Sequence, residues 1–291
     1  MNEPIYIILP VHNRAQLTAC FVDCLLAQSD RDFHVLLVDD GCIDDTVKDA
    51  TARLADVDVI RGDGNLWWAA SVQKGIDRLE AREIGGDAII LIANDDTTFG
   101  GDFLARARTW LDAHPRSMLQ AVPVDPATGA VIDRGIAIDW PSLGMRPAKL
   151  DEDIDCLATR CLFARLADVR TAGGFRPWLL PHYLSDYEFT IRAKRRGIAL
   201  ATSDDVQVNL SRETTGVRST QALPLERFLH VAFSKRHSFN PLYLSIFVLL
   251  AAPPWHVPLG LLRVWAGFCM SLLRSVRVSL FGARDGDEGR R

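Results

Sequence analysis

Four short, mostly apolar runs punctuate the first hundred positions: Tyr6–Val11, Phe33–Val38, Val57–Ile60 and Ala88–Ile92. A strand with one wet face alternates apolar and polar residues. Runs that barely alternate belong to strands covered on both faces. The stretches between them carry apolar residues at helical spacing: from Gln16 to Gln28, Leu17, Phe21, Cys24 and Leu25 share one face. Asp44-Asp45-Thr46 opens a further helix with acids at the positive end of its dipole. Strands alternating with helices predict an α/β fold on a parallel sheet. Ligands bind such sheets at the carboxyl ends of the strands, so chemistry is sought at that edge.

Beyond the fourth run the pattern changes. Ser117 to Arg160 has hairpin-like signals, such as Asp125-Pro126-Ala127-Thr128-Gly129, and predicts mixed or antiparallel strands. Leu184 to Arg196 is helical again, closed by Gly197 with Lys194, Arg195 and Arg196 in the last turn. A main domain over residues 1–223 and a helical extension over 224–291 are expected. The extension holds two apolar runs, Leu242–Ala252 and Val257–Leu273, parted by Pro253-Pro254, with Arg263 interrupting the second. Each falls short of the roughly 20 residues that span a bilayer. Arg263, Arg274 and Arg277 among Leu, Trp, Phe and Val predict a basic amphipathic helix on an anionic membrane surface. The plainer reading is a helical cap packed on the main domain.

The formal net charge of −4 over 291 residues hides a split. Residues 1–188 hold 18 basic and 30 acidic residues, net −12, and residues 189–291 hold 15 and 7, net +8. A chain 48% hydrophobic and 24% charged is globular, which excludes collagen-like, mucin-like and disordered readings. The tail's basic residues lie among apolar ones rather than in a polar stripe, so no nucleic-acid partner is expected. Six cysteines without a CxxC pair give no zinc site or disulfide framework. The N-terminus lacks a basic n-region, and the first apolar run is too short for a signal peptide. A cytoplasmic protein, peripheral on the inner face of the cell membrane, is the expectation.

Carboxylates follow two of the runs: Asp39 and Asp40 after Val38, Asp95 and Asp96 soon after Ile92. Clustered carboxylates repel, so a site that gathers them offers a cation or a hydrogen-bonding ligand. Hard divalent ions are held by one or two carboxylates plus substrate phosphates, and Asn94-Asp95-Asp96 suits a metal bridging a diphosphate. Acids after a strand also cap the next helix, and that account serves Asp44 and Asp45. It does not serve Asp95 and Asp96, because the next helix begins only after Gly100-Gly101.

Four motifs stand in register. They are Leu9-Pro10-Val11-His12-Asn13-Arg14, Val38-Asp39-Asp40-Gly41 with Asp44-Asp45-Thr46, Asn94-Asp95-Asp96, and Ser185-Asp186-Tyr187-Glu188 with Arg192 and Gly197. Together they resemble the inverting family-2 glycosyltransferases. Gly64-Asn65-Leu66-Trp67-Trp68-Ala69-Ala70 resembles the rhamnosyltransferase-like members. The resemblance implies a glycosyltransferase A-type fold, an α/β Rossmann-like mixed sheet flanked by helices. It also implies a nucleotide-sugar donor (UDP- or dTDP-sugar), a divalent metal (Mg²⁺ or Mn²⁺), and a glycan or lipid-linked acceptor.

By that resemblance Pro10, His12, Asn13 and Arg14 line the nucleotide pocket, and Asn65 lies near the donor. Asp40 reads the pyrimidine edge with support from Asp39. Asp95 contacts ribose or metal, Asp96 ligates the metal, and Asp186 is the general base, with Glu188 supporting it. Trp67 and Trp178 flank the site as sugar-stacking aromatics. Two departures stand out. Gln73 replaces the Asn of many relatives, and Val208-Asn209-Leu210-Ser211-Arg212 lacks the late His of some, leaving Arg212 or Arg218 to meet phosphates.

Competing readings have less support. A dinucleotide-binding oxidoreductase needs a Gly-rich loop after the first strand, and Pro10–Arg14 has no glycine. A sugar-1-phosphate nucleotidyltransferase shares the acidic metal site but carries a Gly-rich, basic loop where this chain has only Arg14. An inactive glycan-binding relative is disfavoured by the intact Asp96 and Asp186. The plainer account of Asp186 and Glu188 is first-turn acids that complement a helix dipole.

Overall fold

The computed structural model describes residues 3–210, 223–235 and 240–281. The chain divides into two compact units, Met1–Ile138 with Met145–Thr215, and Asp139–Gly144 with Gly216–Arg291.

The first unit begins with strands β1 (Ile5–Val11), β2 (Phe33–Asp39), β3 (Val57–Arg61) and β4 (Ile89–Ile92). They alternate with helices α1 (Ala15–Leu26), α2 (Thr46–Arg53) and α3 (Trp67–Ala81). Then come β5 (Thr97–Thr98), α4 (Phe103–Ala113), β6 (Ser117–Val124), β7 (Ile136–Asp139) and β8 (Gly144–Pro147). The unit's last elements are β9 (Leu162–Arg165), α5 (Leu166–Ala172), α6 (Ser185–Arg195) and β10 (Ala199–Leu210). The main sheet has the order β3-β2-β1-β4-β9-β6-β10-β5, and β7 pairs with β8 separately. β1 to β4 are parallel as expected, β9 runs antiparallel to both β4 and β6, and β10 returns parallel to β6.

Successive residues of a strand face opposite sides. Tyr6, Ile8, Leu36, Val38, Ile90 and Ile92 therefore pack with Val72, Ile76 and Leu79 of α3 and Phe189 of α6. Ile5, Ile7, Leu9, Val35, Leu37 and Leu91 pack with Phe21 and Leu25 of α1 and Phe103 and Leu104 of α4. Helices cover both faces, which is why the runs barely alternate. Each fully buried Leu, Ile or Phe contributes about 1.5–3 kcal/mol.

The second unit contains α7 (Leu225–Ala232), α8 (Pro241–Ala251) and α9 (Val257–Phe281). Asn240 caps α8, its side-chain oxygen accepting the Leu242 and Tyr243 amides. The first apolar run forms the short helix α8, as expected, but the expectation that the second also falls short of a bilayer span is corrected. Arg263 does not interrupt the helix, because Arg is a good helix former. α9 continues through Arg274 and Arg277 for 25 residues. By length and composition Pro254–Leu280 is sufficient to cross a membrane.

Candidate active site

Parallel pairing brings the ends of β1, β2 and β4 to one edge: Val11 stands opposite Asp39, and Ile8 opposite Ile92. Pro10, near the end of β1, stands opposite Val38. Beyond β1, His12 Nδ1 lies 2.6 Å from the Asp40 carbonyl oxygen, and Asn13 Oδ1 accepts the Ile43 amide at 2.8 Å. The loops after β2 and β3 touch backbone to backbone. Gly41 has φ 75°, and a Cβ there would meet Gly64 Cα at 2.8 Å. Asp39 Oδ1 accepts the Cys42 amide at 2.7 Å. The buried Asp40 carboxylate accepts the amides of Leu66 at 3.0 and 3.1 Å and of Trp67 at 3.2 Å, so it fixes the amino end of α3. Trp67 Nε1 donates to Asn65 Oδ1 at 2.7 Å, and its ring meets His182 edge-on.

Asp95 and Asp96 lie just past β4, and one guanidinium spans both. Arg14 Nη1 donates to Asp95 Oδ1 at 2.7 Å and Nη2 to Asp96 Oδ2 at 3.1 Å. Thr18 Oγ1 donates to Asp95 Oδ2 at 3.1 Å. Burial pushes the Asp95 carboxyl up to about 6; Arg14 pulls it down and Asp96 pushes it further up. Asp96 Oδ1 and Asn94 Oδ1 are buried without a hydrogen-bond partner. A bare buried acceptor costs about 1–3 kcal/mol. Two such hard oxygens on the Asn94-Asp95-Asp96 segment fit a divalent ion that takes its remaining ligands from phosphate. Among the described residues no group of three or more His, Cys, Asp or Glu forms a protein-only cage.

The antiparallel course of β9 brings its amino end to this same edge. Leu162 pairs with Ile92, so Thr159-Arg160-Cys161 lies beside the acidic segment, and Thr97 Oγ1 sits 3.3 Å from Cys161 Sγ. Trp68 Nε1 donates to Thr159 Oγ1 at 3.1 Å, tying in α3. Asp186, in the first turn of α6, accepts the Tyr187 amide at 2.9 Å. Burial pushes its carboxyl up to about 6. The Tyr187 amide, the Arg160 guanidinium and the amides of Asp186 and Thr159 all oppose that rise. Arg160 is itself held, with Nη2 2.9 Å from Asp133 Oδ2. Gln120 steadies Asp133 at 2.8 Å and accepts the Ala158 amide at 2.8 Å.

Glu188 does other work. It forms a bidentate pair with Arg192 at 2.8 and 2.9 Å, and Arg192 donates to the carbonyls of Ala172 and Gly174. Gln73 Oε1 accepts the Phe175 amide at 2.6 Å. Together these side chains lock the turn Gly173-Gly174-Phe175 that leads toward the Asp186 segment.

The family model for glycosyl transferase family 2 matches residues 6–155, about half of the chain, which takes in the segments that follow β1, β2, β3 and β4 but not Thr159–Cys161 or Asp186. The chain belongs to glycosyl transferase family 2. No curated protein is significantly similar in sequence. S. aureus TarS superposes with a TM-score of 0.59 at 15% identity, over 94% of this chain and 55% of TarS. The mannosyltransferase PcManGT from Pyrobaculum calidifontis, solved with GDP-Man and Mn²⁺, gives 0.55 at 17% identity, over 97% of this chain and 88% of that one. GalNAc-T7, solved with UDP, GalNAc and Mn²⁺, gives 0.58 at 13% identity, over 89% and 54%. The family 2 chain thus spans about half the length of TarS and GalNAc-T7. Its fold is the α/β glycosyltransferase A-type fold.

In this family 2 chain His12, Asn13, Arg14, Asp39, Asp40, Asn65, Trp67, Asp95, Asp96 and Asp186 cluster on elements meeting at one sheet edge. Trp178 is 81% exposed. Arg212 and Arg218 lie outside the described residues. Thr18, Gln120, Asp133 and Arg160 carry no signal in the sequence, since they belong neither to the carboxylates that follow strands nor to the motifs of the resemblance. Arg160 precedes a strand, and only knowledge that β9 is antiparallel brings it to the edge.

Proposed function

We propose that this chain is an inverting glycosyltransferase that moves a sugar from a UDP- or dTDP-sugar to an acceptor hydroxyl. The acceptor is a cell-surface polysaccharide or a lipid-linked glycan, and the enzyme belongs to the rhamnosyltransferase-like subgroup. One observation carries the reading: bare, buried acceptor oxygens on Asn94 and Asp96 lie at the same sheet edge as Thr159 and Arg160, which act on the partly buried carboxyl of Asp186.

The chemistry divides between them. Asp186 takes the proton of the acceptor hydroxyl as that oxygen attacks the anomeric carbon. Attack comes from the face opposite the nucleotide, so the bond to the diphosphate breaks and the anomeric configuration inverts. Asp96, with Asn94 and Asp95, would hold Mg²⁺ or Mn²⁺, which offsets charge on the departing diphosphate when bound. Arg14 keeps the two neighbouring carboxylates from repelling each other. His12 and Asn13 shape the nucleotide side, and Trp67 and Trp178 offer faces to the sugars.

Asp186→Asn keeps the shape but cannot take a proton. Transfer is expected to fall about 10²–10⁴-fold while nucleotide-sugar binding, followed by calorimetry, stays within a few-fold. Undiminished transfer by Asp186→Asn would remove the base assignment. A product with retained anomeric configuration, read by NMR, would remove the inverting mechanism.

A further inference from the structure

α9 is long for a small unit, about 37 Å at 1.5 Å per residue. One side of it packs inside the second unit. Val264 joins Val248 and Ala252 of α8 in a small core, and Phe268 meets Phe228 and Phe233 at 5.7 and 5.6 Å. The other side is bare. Leu262 is 66% exposed, Met270 55% and Leu273 69%, and their spacing of eight and three residues keeps them on one face. Arg263 and Arg274, eleven residues apart, run along one edge of that stripe, with Arg277 on the stripe nearer the carboxyl end. All three are exposed, and α9 has no Asp or Glu. Trp255, in the turn before α9, is 76% exposed.

A stripe of this kind in water would be a liability, and its flanking charge is of one sign. The chemistry that satisfies both is apolar on one side and anionic beside it, which is an acidic lipid surface. Arginine stems lie along apolar surface while their guanidinium groups reach phosphates. A transmembrane placement would instead carry Arg263 and Arg274 into hydrocarbon on the lipid-facing side, which is costly.

We propose that α9 lies in the headgroup region of an anionic bilayer, with Leu262, Met270 and Leu273 among the acyl chains and Arg263, Arg274 and Arg277 on lipid phosphates. The test is flotation of the full chain with vesicles of equimolar phosphatidylglycerol and phosphatidylcholine, against phosphatidylcholine alone. Binding to the anionic vesicles only, weakened by salt, is expected. The triple variant R263S/R274S/R277S should bind roughly a hundredfold more weakly, at about fivefold per basic residue. Leu262→Glu with Leu273→Glu should abolish binding without lowering the melting temperature, since both side chains are exposed. No binding to anionic vesicles overturns the proposal. So does equal, salt-resistant binding to both vesicle types, the mark of a spanning helix. A concentration-dependent dimer dissolved by Leu262→Glu with Leu273→Glu also overturns it, because a second copy then covers the face.

Discussion

At the scale of single residues the site turns on where charge is left uncompensated. Asp186 is partly buried, and burial lifts its carboxyl to about 6 while Arg160 opposes the rise. A base must be ionised to accept a proton, so activity should be full above that value and fall about tenfold per pH unit below it. Arg160→Gln removes the cation that favours the ionised form, so the acid limb of kcat/KM should move to higher pH. A profile that does not move would show that Arg160 only packs. Asp96→Ala removes the bare oxygen, and metal-dependent donor binding should weaken while metal-independent binding of the nucleoside changes little. Calorimetry with and without Mn²⁺ separates the two. The acids themselves were legible in the sequence, because four of them follow apolar runs. Their partners were not: Arg14 reaches Asp95 across 81 positions and Thr18 across 77, contacts that only the β1–β4 pairing creates.

At the scale of elements the structure reads as a contrast between local and non-local signals. Mostly apolar runs predicted β1 to β4, and helical spacing or end signals predicted α1, α2 and α6, because those signals lie within a few residues of one another. The reversal of β9 was not legible, since strand direction depends on pairing with distant β4 and β6. The helix through Arg263, Arg274 and Arg277 was legible, but the full length of α9 was not, because the apolar run used to measure it ends at Leu273. The loop before α6 is an element-scale device. Gly174 has φ 64°, and a Cβ there would come within 2.5 Å of Gln73 Oε1. Gly174→Ala adds a left-handed penalty of about 1–2 kcal/mol to that clash. It should lower the melting temperature by several degrees and reduce kcat more than it raises KM. Gln73→Ala, which strands the Phe175 amide, should act in the same direction.

At the scale of the whole molecule the charge split goes with the two proposed tasks. The acidic part holds carboxylates with proposed work around a cation and a hydroxyl, and the basic, apolar tail holds a face suited to anionic lipid. Membership in glycosyl transferase family 2 and the A-type fold give the scaffold, and the central proposal is that its edge binds a nucleotide sugar through a metal at Asp96. Ligands that bind only the native state raise the melting temperature, by about 2.7 kcal/mol of added stability at a hundred times Kd. The most direct test is therefore a thermal-shift screen of UDP- and dTDP-sugars with Mn²⁺, with chelator, and with Asp96→Ala. At least one donor should stabilise the wild-type chain with Mn²⁺, and the shift should vanish with chelator and in Asp96→Ala. A donor that stabilises all three samples equally, or no stabilisation by any donor, would contradict the account.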